Sequence, residues 1–80
     1  MRLDKYLKVS RLIKRRTVAN EACDAERVSV NGRPAKAGYD VKVGDRITIR
    51  FGERALTVEV LQVAETVRKD DAAAMYRELP

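Results

Sequence analysis

The sequence predicts an α+β fold: two short N-terminal helices packed on a small antiparallel sheet, with a short helical segment at the C-terminus. Three observations carry this reading. Apolar residues recur at helical spacing as far as Ala25, and from Arg27 onward the period changes to two. Asn31-Gly32, the strongest two-residue hairpin signal, directly follows the first alternating pair, Val28 and Val30. Eighty residues allow one domain with a small core.

The elements follow in order. Leu3, Tyr6 and Leu7 form the buried side of a first helix, about Leu3 to Val9, which Ser10 ends. Val18, Ala19, Ala22 and Cys23 make i, i+4 pairs, which predicts a second helix from about Arg15 to Ala25. Its apolar face is small enough to lie close against a neighbour, and Thr17 is its expected cap. Pro34 suits an edge or irregular position after the hairpin turn. Val41 to Asp45 reads as a short strand ending in a Gly turn. Ile47, Ile49 and Phe51 alternate, Gly52-Glu53-Arg54 turns the chain, and Leu56, Val58 and Val60 alternate on the return. Asp70 or Asp71 is placed to cap a short helix through Ala72–Tyr76, docked by Met75, Tyr76 and Leu79.

Charge is distributed unevenly. Residues 1–16 hold seven cations (Arg2, Lys5, Lys8, Arg11, Lys14, Arg15, Arg16) against the single acid Asp4, a net of +6. The other sixty-four residues hold ten basic and eleven acidic side chains, a net of −1, giving +5 for the chain. A neutral body with one cationic end is suited to dock on a polyanion, and phosphate backbones are the commonest. The three cations at the start of the second helix oppose its dipole, each at a cost of about 0.3–1 kcal/mol. An anion bound there reverses the sign, because backbone N–H groups, dipole and guanidinium forks then share one phosphate. Arg2, Lys5, Lys8 and Arg11 extend that patch over the first helix. Asp4 reads as a helix-start acid meeting the dipole, or else as a tether for neighbouring cations with Lys8 at i+4 as partner. Arg27, Arg33 and Lys36 add potential phosphate contacts along the hairpin edge, with Asn31 supporting its turn.

Other classes are less well served. There is no histidine and one cysteine, so the usual general base and a zinc ligand set are both missing. No Ser or Cys has an evident activating base, the acids form no pair, and there is no Gly-rich phosphate loop. The expectation is no catalytic residue, no metal and no cofactor. Cys23 reads as a small core residue and points to a reducing, cytoplasmic compartment. No signal-peptide core follows Met1, and no apolar run reaches the roughly 18 residues of a membrane span. Tyr6 belongs with the core, and Tyr39 is the better candidate for base stacking. With one Phe and three Tyr, the chain suits backbone shape more than stacked single strands, which favours structured RNA.

The order of motifs resembles a known family. Arg2-Leu3-Asp4-Lys5-Tyr6-Leu7, Arg16-Thr17-Val18-Ala19, Arg27-Val28-Ser29-Val30-Asn31-Gly32-Arg33-Pro34-Ala35 and Val41-Lys42-Val43-Gly44-Asp45-Arg46-Ile47 resemble the RNA-binding domain named after small-subunit ribosomal protein four. The match covers about residues 1–50, leaving 51–80 as sheet completion and tail of one RNA-binding domain. One departure is Arg16-Thr17 where many members carry Ser-Arg. The resemblance implies a binding surface of Arg2, Lys5, the basic stretch from Arg11 to Arg16 and the hairpin flank. The first seventeen residues and Ala73-Ala74-Met75-Tyr76 resemble the family's stand-alone branch in ribosome-associated quality control. That likeness implies a non-enzymatic monomer, with no membrane partner, that binds an obstructed large ribosomal subunit. It would contact large-subunit ribosomal RNA and peptidyl-tRNA while an alanine-tailing factor extends the stalled chain. The alternatives are a heat-shock or ribosome-assembly RNA binder and a protein-interaction adaptor that works through its sheet.

Overall fold

A computed structural model describes all eighty residues. Helix α1 spans Leu3–Val9 and α2 spans Arg16–Asp24. Five strands follow: β1 (Val28–Val30), β2 (Arg33–Pro34), β3 (Arg46–Phe51), β4 (Arg54–Val60) and β5 (Tyr76–Leu79). A 3-10 turn over Lys69–Met75 precedes the last. The sheet is antiparallel throughout, in the order β2-β1-β3-β4-β5. The expected α+β architecture is therefore the observed one.

The apolar alternation read from the sequence sets which face is buried. Val28 opposes Ile49, Val30 opposes Ile47, and Ile47 opposes Val58. These side chains meet Leu3, Tyr6 and Leu7 of α1 and Ala19 and Cys23 of α2 in one core. Ala19 and Cys23 are nearly inaccessible, so the small face of α2 sits against its neighbours as its composition implies. Asn31 and Gly32 adopt φ of 53° and 84°, the left-handed pair that a two-residue I′ turn requires. The Asn31 side chain also ties that turn to the start of β3. Its Oδ1 accepts from the Arg46 amide at 3.0 Å and its Nδ2 donates to Asp45 at 3.1 Å.

Three expectations need correction. Val41–Asp45 is a turn and not a strand. Its backbone is engaged elsewhere: the Val41 amide donates to the Met1 carbonyl at 2.8 Å, and neighbouring Asp40 bridges to Arg2. The second helix starts at Arg16, with Arg15 extended at its N-cap and no side chain capping it; Thr17 lies within the first turn. The tail is a 3-10 turn that stops at Met75, and Tyr76 begins a strand rather than closing a helix. The open edge of β4 explains this last difference: β5 pairs along it from Val60–Tyr76 to Thr57–Leu79. No helix is long and apolar enough to cross a membrane.

Candidate nucleic-acid interface

The N-terminus is held in place before any side chain acts. The Leu3 amide donates to the Tyr39 carbonyl at 2.8 Å and the Asp4 amide to Ala37 at 3.1 Å. The terminal ammonium pairs with Asp40 at 2.7 Å. The loop at 37–41 thus takes up the first free amides of α1 and fixes the direction from which Arg2 leaves the backbone.

Asp4 is the centre of the site. It is 2% exposed, yet it touches two cations that remain about half exposed, Arg2 at 54% and Arg16 at 47%. Arg2 donates from Nε to Oδ1 at 3.2 Å and from Nη2 to Oδ2 at 3.4 Å. Arg16 donates from Nε at 3.3 Å, Asn20 from Nδ2 at 3.4 Å, and the Lys5 amide at 2.8 Å. Burial alone would raise the Asp4 pKa. The hydrogen bonds from Asn20, Arg2 and Arg16, with the charge of Arg16, outweigh it and hold the carboxyl below its ordinary value. Arg16 commits only its Nε, so its two terminal amino groups keep their hydrogens for an outside acceptor. Arg2, Asp4, Arg16, Thr17, Asn20 and Glu21 line a cleft of about 470 Å³ between the two helices. Asp4 is therefore a tether, and its partners are Arg2 and Arg16 rather than Lys8.

The other expected site residues fall into separate places. Lys8, Arg11 and Lys14 line a groove of about 720 Å³ with Val9, Glu65, Thr66, Val67 and Lys69. Lys5 is ion-paired with Glu65. Arg15 is exposed at the N-cap of α2. Arg33 and Lys36 share a third hollow with Asn31 and Tyr39. Tyr39 is half-buried against the core, and its hydroxyl donates to Asp45 at 3.0 Å. Tyr6 is fully buried and donates to the Met75 carbonyl at 2.8 Å. Cys23 is a free, buried thiol, and burial pushes it up to about 11. No group of three His, Cys, Asp or Glu side chains converges as a metal site.

Sequence reasoning missed Asn20, Glu65 and Lys69. Asn20 lies one helical turn after Arg16, a spacing that places both on one face and was available to find it. Nothing local in the sequence connects Glu65 or Lys69 with the first helix.

The chain is similar to known proteins along most of its length. The S4 domain family matches residues 1–47. An RQC P-site tRNA stabilizing factor of Halalkalibacterium halodurans is 60% identical over 76 residues, covering 95% of this chain and 86% of the relative. Its Bacillus subtilis counterpart of the same name is 58% identical over the same length, covering 95% and 88%. Among solved structures, the trimeric heat shock protein 15 of Vibrio cholerae superposes with a TM-score of 0.91 at 32% identity. That superposition covers 99% of this chain and 81% of the other. With the family model over residues 1–47 and these relatives along nearly its whole length, the chain belongs to the S4 domain family.

Proposed function

We propose that the chain is a non-enzymatic RNA-binding factor of ribosome-associated quality control, working in the cytoplasm. It binds an obstructed large ribosomal subunit, contacts ribosomal RNA and peptidyl-tRNA, and holds the tRNA while an alanine-tailing factor extends the stalled chain. The observation that carries the reading is the Asp4 tether. A buried carboxylate fixes two guanidinium groups beside the uncapped start of α2, where amides and dipole favour an anion. Names of the relatives supply the biological setting, P-site tRNA on the ribosome.

In this reading Arg2 and Arg16 are the first phosphate ligands, with Thr17 beside them. Lys5, Lys8, Arg11, Lys14 and Arg15 add contacts outside the Asp4 cleft, and Arg33 and Lys36 add contacts at the hairpin edge. Asp4 and Asn31 act by positioning. The eighty residues serve as one RNA-binding domain and act as a monomer.

Arg16→Ala tests the reading. RNA affinity falls by about tenfold or more, and thermal stability changes little, because Asp4 keeps its Arg2, Asn20 and Lys5 donors. Equal losses of folding and binding would make Arg16 a structural residue. Copurification with large subunits carrying peptidyl-tRNA, rather than with immature particles, separates this role from ribosome assembly. The likeness to heat shock protein 15 makes a heat-shock RNA binder the competing reading.

A further inference from the structure

The sheet has two faces, and the helices cover only one. Ile47, Ile49, Val58 and Val60 join the helices in the core. The residues between them point the other way. Ser29, Thr48 and Thr57 stand side by side on β1, β3 and β4, half-buried, with the Thr48 and Thr57 hydroxyl oxygens 3.0 Å apart. They make a low hydroxyl stripe across the outer face.

Exposed arginines flank the stripe on both sides. Arg27 and Arg50 stand on one side, Arg46 and Arg77 on the other. Each row is two residues along the strand from the stripe, about 7 Å. The Arg50 amide donates to the Arg27 carbonyl at 2.8 Å, so these two are cross-strand neighbours, and both line a hollow of about 500 Å³ with Ala25 and Gly52. Arg27 therefore lies at the far end of β1 from Arg33. Arg27, Arg46 and Arg50 have no carboxylate within ion-pair distance. Glu59, the acid within the face, is taken by Arg77 at 2.5 Å. Asp24, Glu26 and Glu53 lie at the end of α2 and in the turns beyond, and pair with none of the four. Like charges on neighbouring strands destabilise a sheet, and an anion laid over this face removes that cost.

We propose that the outer face of the sheet docks an extended acidic segment of a partner protein. An extended segment sends side chains alternately to either side, so successive carboxylates reach the two arginine rows in turn. Its peptide groups meet the hydroxyls of Ser29, Thr48 and Thr57. An RNA strand carries its phosphates along one line and leaves one row unmatched. Its bases also find no ring to stack on, because Phe51 and Tyr76 align with the inner-face residues Ile49 and Val60. A second copy placed face to face sets arginine against arginine. The Asp4 cleft lies between the helices on the opposite side of the sheet, so protein and RNA bind at once. The inference goes beyond the RNA-binding function and is tested apart from it.

The test is fluorescence anisotropy of dye-labelled octaglutamate with the full chain at about 0.1 M salt, alone and with the chain saturated by a short RNA hairpin. Octaglutamate, extended by its own charge, stands in for the segment. It is expected to bind the RNA-saturated chain. Arg50→Ser and Arg46→Ser are each expected to weaken that binding about fivefold and to leave hairpin affinity unchanged. Glu59→Gln frees Arg77 and is expected to strengthen it severalfold, a gain that misfolding cannot produce. Complete displacement of octaglutamate by the hairpin overturns the proposal, as does the lack of any gain with Glu59→Gln. An equal loss of hairpin binding in Arg50→Ser assigns the face to RNA, and a wild-type dimer that Arg50→Ser abolishes assigns it to a second copy; either result also overturns the proposal. A chain that binds octaglutamate with these variant effects but takes up no hairpin keeps the docking face and overturns the RNA-binding function alone.

Discussion

Asp4 shows how a single acid can organise a cationic face. It lowers the local positive charge by one, yet it collects Arg2, Arg16 and Asn20 around one buried carboxylate. Asp4→Asn raises net charge toward RNA but puts an amide donor against three donors. The expected result is a stability loss of about 1–3 kcal/mol together with weaker RNA binding, read by thermal melts and titration. A variant that binds more tightly would mean that net charge alone governs affinity. The pH dependence has a definite sign. Because the folded pKa lies below the ordinary 3.8, the Asp4 contribution is complete at neutral pH and is lost as pH falls from about 4 through the folded value. The difference in melting temperature between wild type and Asp4→Asn therefore narrows in acid. Glu26 provides an independent residue-scale case. It follows α2 with φ 59°, its amide bonds to Cys23 and the next amide bonds to Ala22, a complete Schellman ending. Glu26→Gly is expected to stabilise the fold by about 1 kcal/mol in denaturant melts.

At the scale of elements, the C-terminal segment is the part least legible in the sequence and the most telling in the structure. Met75 is fully buried, and its carbonyl accepts from the Tyr6 hydroxyl at 2.8 Å and from the Leu61 and Gln62 amides at 2.8 and 3.1 Å. One carbonyl thus joins α1, the end of β4 and the tail. Met75→Ala is expected to cost about 2–5 kcal/mol and Tyr6→Phe about 0.5–1.5 kcal/mol by equilibrium unfolding. A smaller loss for Met75→Ala would mean the tail is not part of the cooperative fold. Helix α1 and the hairpin at Asn31-Gly32 were legible because their signals are local: a 3.6-residue period and a dipeptide that tolerates positive φ. Strand β5 was not, since Tyr76-Arg77-Glu78-Leu79 has little apolar alternation and is a strand only because β4 offers an edge. Val41–Asp45 misled in the opposite direction. Its Val-Lys-Val pattern suits a strand, but its backbone and the preceding Asp40 hold the N-terminus instead.

For the whole molecule, the net +6 of residues 1–16 against a nearly neutral remainder was plain from the sequence. What it concealed was the division of those cations between a tethered pair and a loose group, which depends on where Asp4 and residues 65–69 pack. If about five or more phosphates are neutralised, log affinity falls with log salt at a slope of about −4 or steeper. A flat response would remove electrostatics as the basis of binding. The most direct test of the central claim is ultraviolet crosslinking of the tagged protein in growing cells, followed by sequencing of the recovered RNA. The account expects large-subunit ribosomal RNA and tRNA to be recovered together, and both to decline with Arg16→Ala. Recovery of a different RNA class would contradict the quality-control role, and recovery of no RNA would contradict the function as a whole.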